Sequence, residues 1–204
     1  MSGQLQRWVY HTGLGRRAVR MKRYLVNRRG DGVHSPYAFH LISRIIRNPH
    51  PYYCFSELAR YAPKPWQLGR RQAELAFRLV IGEGLASVCL LSRGESPVAA
   101  YLEATSRSLR LSYNLPSASK PQPELILVED AESLELKALI RTARAMRLEH
   151  HRSLILVHTH SPSGRRLLQT LLRELDPEAV IDLVDLSLLV LCPTLTRGRY
   201  KAYY

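Results

Sequence analysis

Two histidines leave a candidate strand at alternate positions in the run VHTHS, His158 and His160. An imidazole in that place can act as a general base or a metal ligand near neutral pH. His150 and His151 lie close by in sequence, yet no carboxylate or cysteine is spaced to complete a zinc set, so the pattern points away from zinc. The bland alternative is that strand-end histidines hydrogen-bond to loops. His34 beside Ser35 invites a hydrolase reading, but nothing supplies an orienting acid or a nucleophile elbow. Ser35 is better read as a helix cap, and His34 as packing against the rest of the chain or reaching into its cleft. Glu129 and Asp130 close the run ELILVED. They either border a site at a strand end or begin a loop that favours the next helix through its dipole.

Positioning these groups requires strands and helices in alternation, and the chain from residue 71 onward has that rhythm. Strands are expected at 87–91, 109–113, 125–129, 154–158, 180–186 and 188–192. Helices are expected at 71–81, 97–107, 134–148 and 164–175. In the helix at 134–148, Ser133 is the expected cap, and Leu136, Leu139, Ile140, Ala143 and Met146 the inward face. The last two strands have almost nothing between them and must form an antiparallel hairpin, because a parallel crossover needs a dozen residues or more. Upstream, 16–27 can form a short basic helix. Pro49, Pro51, Pro63 and Pro65 break the chain into irregular connections, giving a lid or arm in place of a second core.

From Gly30 to Ser43 the chain reads GDGVHSPYAFHLIS. Ser35 can accept a hydrogen bond from the first helical turn, Pro36 fits the first helical position, and Phe39, Ile42 and Ile46 fall on one side. This stretch resembles "HGVHSPF(V/A)F" followed by a Leu-Ile pair, which opens a group of bacterial proteins with a class I S-adenosylmethionine-dependent methyltransferase domain. Residues 71–81, RQAELAFRLVI, resemble the helix before that family's first core strand. SLILVHTHS, IDLVDLSLLVL and the tail with Tyr200, Tyr203 and Tyr204 resemble its closing pattern.

The resemblance implies a Rossmann-like α/β fold: a mostly parallel sheet with a C-terminal antiparallel hairpin, truncated at one edge and preceded by a helical N-terminal extension. Residues 1–70 would be the basic arm and 71–204 the methyltransferase-type domain. It also implies S-adenosylmethionine as cofactor, bound at strand ends where glycines let the backbone approach a ligand. The matching cofactor positions are Ser92, Gly94, Ser96 and Glu129, and the candidate bases are His158 and His160. However, Leu90 stands where the family's "LELGTSLGIS" has its acidic residue, and Ser92 and Ser96 stand at glycine positions. Tyr113 and Asn114 end the second strand, where a ribose-binding carboxylate is implied. Between Asn114 and Glu124 there is room for a loop only, against the family's helix, strand and helix. The expectation is a methyltransferase-like fold whose cofactor binding is impaired or lost and which serves as a binding or scaffolding protein. Its alternatives are an active methyltransferase on an unknown substrate and a basic nucleic-acid-binding protein.

Composition bounds the remainder. A chain of 204 residues with 46% hydrophobic content holds one well-buried core. Cys54, Cys89 and Cys192 have no paired spacing, which suits a reducing cytoplasm, and no signal-peptide or membrane-spanning stretch is evident. Of the cations behind the net charge of +13, eight precede Asp31, the first acidic residue. Arg16, Arg17, Arg20, Lys22 and Arg23 form the densest group, and nucleic acid or another polyanion is the partner such a cluster attracts, unless it is merely a solvated face. Unpaired backbone at the hairpin edge and at the truncated edge offers a route to a homo-oligomer.

Overall fold

A computed structural model describes residues 15, 18, 19, 21, 22, 33–60, 67–117, 120–132 and 134–204. The expected helix at 16–27 is helical at the positions described, Ala18, Val19, Met21 and Lys22. Arg16, Arg17, Arg20 and Arg23 lie outside the described residues, as does Ser133; Lys22 is exposed.

Seven strands form one sheet in the order β2-β1-β3-β4-β6-β5-β7. They are β1 (Ser87–Leu91), β2 (Arg110–Ser112), β3 (Leu125–Val128), β4 (Ser153–His158), β5 (Ala179–Asp182), β6 (Leu186–Leu191) and β7 (Gly198–Lys201). All neighbours are parallel except β6, which runs antiparallel to both β4 and β5. The fold is therefore α/β and Rossmann-like, with the expected hairpin. No described strand lies beyond β2, so that edge is short, as the sequence implied. The seventh strand extends the opposite edge, paired in parallel with β5. β7 escapes sequence reading because three of its four residues stay accessible and only Tyr200 is buried.

Helix α1 (Pro36–His40) begins where the motif predicts: Ser35 Oγ accepts from Ala38 N at 3.3 Å, with Pro36 in the first turn. The chain then widens into a π-helical segment, Leu41–Ile46, in which Arg47 N donates to Ile42 O. One extra residue per turn shifts the phase of the apolar stripe. Leu41, Ile42, Ile45 and Ile46 are buried, whereas Phe39, expected inside, is 45% exposed.

This segment is built into the core. Tyr37 Oη donates to Glu83 Oε2 at 2.8 Å, and the Arg152 guanidinium lies 4.8 Å from the Tyr37 ring centre. Burial, then the Glu83 charge, pushes the Tyr37 phenol well above its ordinary pKa. Ile45 presses on Gly82 of α3 (Arg70–Glu83) so closely that a Cβ there would sit 2.7 Å from its side chain. A short helix, α2 (Phe55–Leu58), sets Phe55 edge-on to Phe77 at 5.1 Å between ring centres. The segment around Phe55 thus shares one core with α3 and the face of the sheet that α3 covers.

Helix α4 (Pro97–Glu103) is shorter than expected. Thr105 Oγ1 donates to the Leu102 carbonyl, and Ser106 Oγ accepts from Ser108 N, so local side-chain bonds compete with helix continuation. On the other face, α5 (Leu136–Glu149) and α6 (Pro162–Leu175) cover β3, β4 and β6. Leu139, Ala143 and Met146 are buried as expected; Leu136 is 37% exposed, and Thr142 occupies the face instead. The N-cap of α5 is Glu135. The β5–β6 hairpin closes earlier than its apolar run suggests, because Val184 takes φ 79° and its N–H donates to Asp182 Oδ1. The three cysteines are free, and no described helix is long and apolar enough to cross a membrane.

Candidate functional site

In an open α/β sheet, ligands bind beyond the carboxyl ends of the strands where the strand order reverses. Here that point lies at β1, flanked by β2 and β3. The turn after β1 runs from Ser92 to Ser96 and contains Gly94 at φ 77°, a conformation glycine adopts without strain. Ser92 Oγ donates to Gly94 O at 2.8 Å, closing the turn on itself. Arg93 leans across to the loop after β3, pairing with Asp130 at 3.0 Å and Glu132 at 2.8 Å.

Ser96 caps α4, its Oγ accepting from Val98 N at 3.2 Å while donating to Glu129 Oε1 at 3.0 Å. The same oxygen of Glu129 accepts from Leu68 N at 2.7 Å. Glu129 is only 4% exposed, and its other carboxylate oxygen has no partner among the described residues. Burial raises its pKa above the ordinary carboxylate range, and the bonds from Leu68 and Ser96 offset part of that rise. Sequence reading allowed this residue to favour the helix after β3. It turns the opposite way, joining the entry to α3 with the cap of α4. Asp130 keeps to its loop, accepting from Glu132 N.

A cleft of about 730 Å³ opens beside this turn, with Ser92, Gly94 and Ser96 on one side and Glu103, Tyr113 and Asn114 on the other. Three of the four expected cofactor positions therefore meet at one hollow, and Glu129 lies behind Ser96 without lining it. Leu90 is fully buried in β1, so the position at which the resemblance implies an acid serves the core. Tyr113 is half exposed, and its hydroxyl lies 3.5 Å from Glu103 Oε1. Sequence reasoning missed Gln67, Glu95 and Glu103 as lining residues. Glu103 is carried there by the length of α4, and Gln67 by its amide donating to the Glu95 carbonyl at 2.5 Å.

His158 ends β4 nine-tenths buried, with Nδ1 3.4 Å from the Glu129 carbonyl, and its ring stacks on the exposed His160 at 5.8 Å between centres. Burial first, then the neighbouring His160, lowers the His158 pKa, which keeps it neutral. Neither histidine lines the cleft beside Gly94. His150 instead bonds the Gln122 carbonyl at 2.9 Å, and His34 is exposed. Among the described residues no group of histidine, cysteine and acidic side chains is arranged to hold a metal ion.

No protein-family model matches the chain, and no curated protein matches it.

Proposed function

We propose that this chain is a methyltransferase-like protein that has lost S-adenosylmethionine binding and works by binding or scaffolding. One observation carries the reading: the carboxylate of Glu129, the acid where a cofactor-facing group is implied, is occupied inside the protein by Leu68 N and Ser96 Oγ. A buried acceptor used in this way is not available to a ligand without breaking the entry to α3 and the cap of α4. The short sheet edge at β2 supports the same reading, since nothing described stands beyond it to cover an adenine. The basic stretch with Arg16, Arg17, Arg20, Lys22 and Arg23 supplies the contact to nucleic acid or another polyanion. Calorimetric titration with S-adenosylhomocysteine at high concentration tests the loss. No saturable heat is expected, and a saturable isotherm would overturn the proposal.

A further inference from the structure

We infer that the cleft beside Gly94 takes a small organic cation, an ammonium or guanidinium group carried by a free amine or by a basic peptide side chain. The inference rests on the proposed loss of S-adenosylmethionine binding, because the cofactor would compete for the same hollow. Its starting point is a contrast of charge. The chain carries 30 Lys and Arg residues and a net charge of +13, yet no Lys, Arg or His lines this cleft. Glu95 and Glu103 are its only charged lining groups, and both are exposed. The nearest cation in sequence, Arg93, is turned away and neutralised by Asp130 and Glu132.

Tyr113 adds an aromatic wall. Its hydroxyl lies beside Glu103, so ring and carboxylate stand together on one side of the hollow. An aromatic face next to a carboxylate attracts cations through the ring quadrupole and the charge at once. Two carboxylates with no compensating cation also repel phosphate and other anions, which excludes nucleotides as occupants. Asn114 and Gln67 supply neutral polar edges to the same wall and floor. A volume of about 730 Å³ accommodates a side-chain-sized cation with its water.

The test uses the whole chain, isotopically labelled, with backbone amides followed by NMR during titration with agmatine and, separately, with a blocked Gly-Arg-Gly peptide. Saturable shifts confined to Gly94, Glu103, Asn114 and their neighbours are expected from at least one probe, and the tighter of the two identifies the source of the cation. Glu95→Gln with Glu103→Gln should weaken binding about tenfold, and Tyr113→Leu about threefold. All three side chains are exposed, so unchanged thermal midpoints are expected to accompany these losses. Equal binding by the double variant, or by a neutral ureido analogue of agmatine, would overturn the inference. If S-adenosylhomocysteine saturates the same amides, the proposed function falls and this inference falls with it. If all three compounds leave the amides unmoved, the cation site alone is refuted.

Discussion

Replacing Glu129 by Ala and by Gln separates what the carboxylate does by hydrogen bonding from what it does by charge. In the Ala variant, Leu68 N and Ser96 Oγ, held at 2.7 and 3.0 Å, lose their common acceptor. Leu68 is 1% exposed and Ser96 8%, so water does not replace it readily. Each orphaned donor costs about 1–3 kcal/mol, and relief from keeping a charge buried returns part of that. A net loss of about 2 kcal/mol is expected, a large share of the ~5–15 kcal/mol that holds a domain folded. The Gln variant retains an oxygen for both donors and carries no charge, so near pH 7.5 it should match the parent or exceed it. The pH dependence has a definite sign. Because burial raises the folded-state pKa, the folded chain keeps a proton that the unfolded chain has released, across the interval from the ordinary carboxylate range up to the folded value. The stability contributed by this group therefore falls as pH rises through that interval. Urea unfolding at about pH 4.5 and about pH 7.5 should show the Gln variant gaining on the parent at the higher pH. A Gln variant that loses ground as pH rises, or an Ala variant within about 0.5 kcal/mol of the parent, would refute the account.

Two other substitutions probe the frame around the site. Gly164→Ala would drive a methyl group into the His158 carbonyl, where the first turn of α6 touches the end of β4. Alanine's helix propensity favours the variant by about 1 kcal/mol, so a net loss of about 2 kcal/mol in urea unfolding shows that packing wins, and a more stable variant shows that it does not. Tyr37→Phe removes the bond to Glu83 and leaves that carboxylate with Arg152 at 3.5 Å. A loss of about 1.5 kcal/mol is expected in the same assay, and an unchanged midpoint would show that α1 is held by apolar contacts alone.

Legibility followed the strength of the local signal. The bounds of β1, 87–91, could be read directly because five apolar or small residues stand between a glycine-containing turn and Ser92. Ser35 and Pro36 fixed the start of α1 through capping chemistry that needs no tertiary information. Phe39 was misplaced because a π-helical turn depends on how Ile45 meets Gly82, a contact between residues distant in the chain. The hairpin bounds depended on Val184 adopting a conformation rare for a β-branched residue. At the candidate site, Ser92, Gly94 and Ser96 could be found from their place after a strand. Glu95 and Glu103 could not, because surface glutamates carry no periodic signature and acquire meaning only when Tyr113 arrives from another element.

With β2 as the outermost strand, the hollow at Gly94 has a wall on one flank and open solvent on the other. An occupant held from a single side keeps much of its hydration and leaves quickly. Such a berth sorts visitors by the sign of their charge more than by their contour, and it needs no gate to admit them.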